Sequence, residues 1–197
     1  TVFEISDDFM HVPNWNPSYR TYQNPDIQQL VKRMAWYCDG VQFTSEGLNR
    51  QYGYLNPQHA VFPNQIIAVP TEKRPCDGNI RIGWSGSYSH LEDVDIIAKH
   101  LVPFLNNTPN VHFCFMGSED IFKSFNNIPE SKKTFYKIGT IYDYYDFLKN
   151  IDIGIAPLED TPFNRSRSDV KFLEYAVNSV VPVVSNISTY DAVEHGR

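Results

Sequence analysis

Residues 151–185 read IDIGIAPLEDTPFNRSRSDVKFLEYAVNSVVPVVS, and their pattern decides the fold. Ile151 to Ala156 is an apolar run of strand length, Asn164 to Asp169 is polar, and Val181 to Ser185 reads as a second, short buried strand. Between them Val170, Leu173 and Val177 recur at helical spacing, which predicts a helix with those three on its buried face. Ser166 followed three residues later by Asp169 is a capping-box signal for its start. Lys171, Glu174 and Asn178 share a second face, because residues three or four apart are neighbours on a helix. The polar loop thus leaves the end of one strand and enters a helix, and in an open parallel sheet that is where ligands sit. Backbone N–H groups and the helix dipole favour an anion there, and Arg165 and Arg167 add positive charge. The competing reading treats Lys171 and Glu174 as a solvated ion pair and the arginines as solvated loop residues. A dipole worth about 0.3–1 kcal/mol at an exposed site does not by itself decide between the two.

Outward from this stretch the same alternation repeats. Ile80 to Trp84 reads as a strand running into Ser85-Gly86-Ser87-Tyr88-Ser89. Ser89 and Glu92 make a capping box, and Leu91, Val94, Ala98, Leu101 and Leu105 give the next helix a buried stripe. Val111 to Gly117 is a second strand, followed by a short helix from near Ser118; Thr134 to Ile138 is a third, and Tyr142 to Asn150 a helix. With the two strands of the opening stretch and a last helix from Ser188 to about Glu194, residues 79–185 predict a five-stranded, doubly wound parallel sheet covered by helices. The loop Gly83 to Ser87 carries small residues that let a phosphate approach backbone N–H groups, although glycine after a strand is commonly just a turn. His90, one residue past the cap, is either a hydrogen-bond donor to such a phosphate or sugar, or a solvent-exposed first-turn histidine. For Tyr142, Tyr144 and Tyr145, helix packing with one or two exposed rings is favoured over a sugar-stacking platform.

The first third reads differently. Val2 to Ile5 is a short strand ending at Asp7 and Asp8, residues 11–24 a loop rich in Pro, Asn and Tyr, and Pro25 to Asp39 a helix with Ile27, Leu30, Val31 and Met34 on one face. Val41 to Thr44 is a strand and Ser45 caps a helix from Glu46 to Tyr52. Residues 65–78, with Pro70, Pro75 and Gly78, look like an interdomain linker. Asp7 and Asp8 invite a metal reading, but nothing nearby supplies further ligands, so no metal site is expected. The chain has 197 residues, is 42% hydrophobic and 20% charged, and carries a net charge of −6. That balance is ordinary for a soluble globular protein and argues against bulk binding to nucleic acid or an anionic membrane. No apolar run approaches the roughly 20 residues of a membrane helix, and no signal-peptide pattern is present. Cys38, Cys76 and Cys114, odd in number and far apart, fit neither a disulfide framework nor a zinc site and point to a reducing, cytoplasmic setting. The abrupt strand-like start and helix-like end suggest a fragment.

The run 151–185, with its strand ending in Ala156-Pro157-Leu158, its polar loop, its helix carrying Glu174, and Pro182-Val183-Val184, resembles the donor-sugar half of GT-B-fold glycosyltransferases related to family 4. The segment WSGSYSHLED (residues 84–93) is similar to the opening of that donor domain, and residues 59–64, HAVFPN, to the segment closing the acceptor-side domain. The resemblance implies a Rossmann-like GT-B half over residues 76–197 and an incomplete second α/β domain plus linker over residues 1–75. It also implies metal-independent transfer of a sugar from a nucleotide-activated donor to an acceptor hydroxyl, with retention of anomeric configuration and no cofactor. Glu174 matches the second glutamate of the family's Glu–seven residues–Glu motif and would accept hydrogen bonds from the ribose hydroxyls. Gly86, Ser87, His90, Arg165, Ser168 and Lys171 complete the implied donor-binding set; the catalytic groups are not assigned. Two departures stand out: Ser166 holds the place of the motif's first glutamate, and Ser87 and Glu92 hold the places of a basic pair. Positive charge opposite the diphosphate then falls to Arg165, Arg167, Lys171 and His90. A nucleotide sugar is the expected partner, with the acceptor, whether glycan, lipid or protein, undefined. An epimerase of the same fold would need a carboxylate-rich hydrolytic site, which is not visible. The alternative from another class is a non-catalytic nucleotide-sugar-binding or scaffold domain.

Overall fold

The computed structural model describes residues 1–67, 72, 73, 75 and 77–191. They form two separate parallel sheets. The three-stranded sheet is built from β1 (Val2–Ile5), β2 (Gly40–Phe43) and β3 (His59–Val61), in that order. The five-stranded sheet contains β4 (Ile80–Gly86), β5 (Val111–Gly117), β6 (Lys133–Lys137), β7 (Ile153–Ala156) and β8 (Val181–Val184), in the order β6-β5-β4-β7-β8. All pairings are parallel, so the chain contains the expected α/β, Rossmann-like half and a smaller α/β layer.

By contact the chain divides into two units. Among the described residues, one is Thr1–Gln65 together with Asp160–Val170 and 186–191; the other lies within Ile66–Glu159 and Lys171–Ser185. This differs from the single cut near residue 75 expected from the sequence. The cause is local: the backbone carbonyl of Ser166 accepts the Ser45 hydroxyl, and a Cβ added to Gly47 would lie 2.7 Å from the Ser166 α-carbon. Asn64 Nδ2 donates to Ser168 Oγ at 2.7 Å, which holds the end of the same segment.

In the larger unit, the central strands β4 and β5 are buried on both faces, as expected of a parallel sheet. On one face α4 (Leu91–Asn107) lays Val94, Ala98 and Leu105 on Ile82, Trp84, Phe113 and Phe115. Aromatic contacts knit this layer, with Trp84 stacked on Phe115 at 4.8 Å and Phe113 tilted against Phe125 at 4.6 Å. The helix α5 (Glu119–Phe122), capped by Ser118, extends it through Ile121. On the other face lie α6 (Ile141–Lys149) and α8 (Val170–Val177). Thr140 and Asp143 form a reciprocal capping box at the start of α6 that the sequence reading missed. The buried anchor of α8 is Tyr175, fully enclosed, whose ring fills the space above Gly154 so closely that a Cβ there would sit 2.6 Å from it. The Tyr175 hydroxyl donates to the Ile155 carbonyl at 3.1 Å.

In the smaller unit, α2 (Pro25–Tyr37), capped by Asn24, and α3 (Glu46–Tyr52), capped by Ser45, pack on the sheet through Ala35, Leu48 and Tyr52. A short helix, α1 (Tyr19–Tyr22), interrupts the expected loop. Asp8 is a buried acceptor: it takes the Met10 and His11 N–H groups at 3.1 Å each, the Tyr52 hydroxyl, and lies 2.9 Å from His11 Nδ1. Its place in this network accounts for it as a fold determinant.

Several expectations are corrected. In α2, Leu30 and Met34 are exposed, while Val31 packs against the core that encloses Ala35, so only half of the apolar stripe marks the inner face. Ser89 and Glu92 make no capping box; the N-cap of α4 is His90 and Ser89 Oγ pairs with Ser87 Oγ at 2.7 Å. Ser166 does not start α8. It closes a turn of helix, α7 (Pro162–Arg165), capped by Thr161, and donates its hydroxyl to the Phe163 carbonyl at 2.9 Å. In α8, Val170, Leu173 and Val177 are only half-buried. The strand at Val181 is not buried, because β8 is a sheet edge, which also explains how Pro182 is tolerated in it. Residues Ser188–Tyr190 form a single 3₁₀ turn. Pro70 and Cys76 of the expected linker, and the end of the last expected helix toward Glu194, lie outside the described residues.

Candidate functional site

The strand order of the larger sheet creates the site. The chain runs outward from β4 to β6, then returns to the other side of β4 as β7, so the order reverses between β4 and β7. These two strands pair only at Ile82↔Ile153 and Gly83↔Gly154. Beyond that point β4 continues to Gly86 against β5, and β7 continues to Ala156 against β8. Their carboxyl ends therefore part, and such a crevice is where open α/β sheets bind ligands.

Ser85, on β4 just past the last pair, accepts a hydrogen bond from Lys171 Nζ at 2.8 Å. The same ammonium donates to the Tyr144 hydroxyl at 3.0 Å and stands 3.8 Å from Glu174 Oε2. Tyr144 passes the interaction on, donating to Glu174 Oε2 at 2.6 Å. Burial, and then the negative charge of Glu174, push the Tyr144 phenol well above its usual range, so it remains a neutral donor. The result is a chain of charge-assisted hydrogen bonds from β4 through α8 and α6. It is built because Tyr175 pins α8 on Gly154, which turns the neighbouring Lys171 and Glu174 toward the crevice. Glu174 Oε2 is engaged in this chain, while Oε1 accepts no hydrogen bond among the described residues.

A second cluster lies next to Ser85. Gly86 ends β4 with Trp84 and His90 folded against it: a Cβ there would meet Trp84 Cζ2 at 2.8 Å and His90 Cδ2 at 3.2 Å. Glycine is thus required by packing. Ser87 Oγ is paired with Ser89. His90 Nδ1 lies 2.9 Å from Asp93 Oδ2. Of the residues expected from the sequence, Gly86, Ser87, His90, Lys171 and Glu174 belong to the larger unit, and Ser85 joins their two clusters. Arg165 and Ser168 belong to the smaller unit. There Arg165 forms a two-point pair with Asp160, at 2.5 and 2.8 Å, and Arg167 stands over the Phe163 ring. Both partners of the Arg165 pair are exposed, so its contribution to stability is small.

Sequence reasoning missed Ser85, Asp93 and Tyr144. Asp93 follows His90 at the three-residue spacing of helix neighbours, which was a usable signal. Tyr144 gave none beyond the tyrosine cluster, because its partners are distant in sequence.

No family model and no curated protein sequence matches the chain. Among solved structures, TarM superposes with a TM-score of 0.67 at 12% identity, over 99% of this chain and 38% of TarM. The lipopolysaccharide outer core galactosyltransferase WaaB gives 0.54 at 14% identity, over 82% of this chain and 47% of that one. OtsA gives 0.57 at 11%, over 97% and 54%. A TarM mutant from S. aureus with a TM-score of 0.63 is in complex with fondaparinux, α-GlcNAc-glycerol and UDP. These neighbours establish the GT-B glycosyltransferase fold. The chain spans about half or less of the length of each. Among the described residues no helix is long and apolar enough to cross a membrane.

Proposed function

We propose that this chain is the donor-side part of a metal-independent, retaining glycosyltransferase that binds a nucleotide sugar at the β4–β7 crevice. The observation that carries the reading is the Ser85–Lys171–Tyr144–Glu174 chain of hydrogen bonds, placed where the strand order reverses. In this reading Glu174 Oε1 accepts the ribose hydroxyls, and Oε2 stays held by Tyr144. The diphosphate lies toward Gly86, Ser87 and His90, with the Lys171 ammonium supplying positive charge. During transfer the bond from the anomeric carbon to the diphosphate oxygen breaks, and its electron pair leaves on the diphosphate. The acceptor oxygen bonds to the anomeric carbon and passes its proton to the departing diphosphate oxygen. Cations fixed at the departing diphosphate stabilise that charge without reorganising, which is the largest contribution available to a site without covalent chemistry. Arg165 and Ser168 enter as donor-binding groups only as part of the same proposal, and a cytoplasmic location accords with it.

The alternative, a non-catalytic nucleotide-sugar-binding domain, is favoured by Ser166. This residue is buried against Gly47 where the resembled motif has a carboxylate, so that sugar contact is missing.

Calorimetric titration with UDP-, GDP-, ADP- and TDP-sugars tests the binding reading. One of them is expected to bind, and Glu174→Ala is expected to weaken it about ten- to a hundredfold, as loss of charge-assisted bonds worth roughly 1.5–3 kcal/mol implies. Binding by a folded Glu174→Ala variant equal to wild type refutes it. Hydrolysis of the bound nucleotide sugar separates the enzyme from the binding domain.

A further inference from the structure

The proposed donor site holds a carboxylate that its reading does not use. Asp93, on the first turn of α4, is 3% exposed. Its Oδ1 accepts the Glu159 backbone N–H at 2.7 Å, from the segment that follows β7. Its Oδ2 lies 2.9 Å from His90 Nδ1. The carboxylate therefore ties the start of α4 to the far side of the crevice and fixes one nitrogen of the imidazole. A carboxylate beside Nδ1 selects the tautomer with the proton there, which sets the role of Nε2. The ring edge carrying Cδ2, the atom bonded to Nε2, is the edge laid against Gly86. Nε2 consequently belongs to the glycine-loop side of the ring, and Asp93 to the opposite side.

We propose that Asp93 is a positioning residue that makes His90 a proton-linked cation for the diphosphate. This rests on the donor-site reading above and adds to it. On binding, the imidazole takes one proton from solvent at Nε2 and becomes imidazolium. The Nε2–H donates to a diphosphate oxygen, and the Nδ1–H remains on Asp93, whose negative charge stabilises the ring cation. No other bond forms or breaks. Among the described residues, the titratable groups nearest in sequence to the ring are Tyr88, Glu92 and Asp93; the elements of the crevice add Glu159 after β7, Tyr144 on α6, and Lys171 and Glu174 on α8. Histidine is the side chain among these types whose ordinary charge change falls between pH 5 and 8. The arrangement supplies, on demand, positive charge that the sequence lacks at Ser87 and Glu92.

The test is calorimetric titration of the 197-residue chain with UDP, GDP, ADP and TDP between pH 5.5 and 8.5, in buffers of different ionisation enthalpy, to count protons taken up. The terminal phosphate of the nucleotide titrates in the same window, so the readout is the difference between wild type and His90→Gln. Gln keeps a donor without a titrating charge. Wild type is expected to take up more protons than His90→Gln, and its advantage in affinity is expected to fall about tenfold from pH 5.5 to 8.5, the effect of one pKa unit of coupling. Asp93→Asn, which keeps an acceptor for the Glu159 N–H, is expected to retain binding and move the wild-type pH profile to lower pH. Equal proton uptake by wild type and His90→Gln overturns the proposal, as does an unchanged profile in Asp93→Asn. If none of the four nucleotides binds wild type, the donor-site reading fails and this inference falls with it. If binding depends on Glu174 but not on His90, only this inference fails.

Discussion

The helices α2 and α8 carry similar sequence patterns and use them in opposite ways. In α2 the stripe of Ile27, Leu30, Val31 and Met34 predicts the inner face, yet Leu30 and Met34 are about half exposed while Ala35 is fully enclosed. In α8 the stripe of Val170, Leu173 and Val177 is half-buried, and the face that meets the sheet carries Lys171, Glu174, Tyr175 and Asn178. Periodicity states which residues share a face. What that face meets is decided by the surface it packs on. The end of the five-stranded sheet offers Ser85 and the glycine at 154, and α6 adds Tyr144, so a polar face fits there around one large aromatic anchor. On the three-stranded sheet α2 packs through the small Ala35, with Val31 against the same core.

Tyr175 is the strongest point at which to break this contrast. Tyr175→Ala removes a fully enclosed ring seated on Gly154, and is expected to cost about 3–5 kcal/mol in denaturant unfolding, in line with large-to-small core substitutions. A loss below about 1 kcal/mol would mean that α8 is not held by this residue. Next in size is Tyr144→Phe, which removes the donor to Glu174 and an acceptor of Lys171 while keeping the ring. About 1 kcal/mol of stability is expected to go with it. The sign of the pH dependence follows from the phenol's raised pKa in the folded state. Its stabilisation is fully present below the ordinary value near pH 10 and is lost as pH rises toward the folded value. The stability gap between wild type and Tyr144→Phe, followed by urea unfolding from pH 8 to 11, is expected to narrow above about pH 10. A gap that widens would mean that the phenol is not a neutral donor to Glu174.

The fold was legible because parallel strands buried on both faces read as apolar runs, and β4, β5, β6 and β7 fall within a residue or two of where those runs lie. Where tertiary context decides, the sequence misled. Ser166 has the spacing of a helix cap, but Thr161 with Pro162 starts an earlier turn and leaves Ser166 to end it. Ser89 has the same signal at α4, and Asp93 holds that entry instead through His90 and the Glu159 N–H. The site was legible in part: Lys171 and Glu174 were singled out as one face, and they do share a network. Their partners Ser85 and Tyr144 stand 86 and 30 residues away from Lys171 and Glu174, respectively, and only the folded sheet brings them together. Arg165, a natural candidate for the diphosphate by charge alone, is engaged with Asp160.

The smallest expected effect is at the exposed stripe of α2, and it tests the other half of the contrast. Leu30 and Met34 are 51% and 45% exposed, with Trp36 and Tyr37 exposed beyond them. A side chain already half in water loses little when it becomes polar, and glutamine is close to leucine and methionine in helix propensity. Leu30→Gln and Met34→Gln are therefore each expected to shift unfolding free energy by no more than about 0.5 kcal/mol, the range of ordinary surface substitutions. The two lie four residues apart on one helix face, so the double variant also reports whether they act independently. Chemical denaturation of the two single variants and the double variant makes the measurement. A loss of about 2 kcal/mol or more from either single change is the signature of a core residue. It would show that Leu30 and Met34 belong to the buried face of α2 together with Val31 and Ala35.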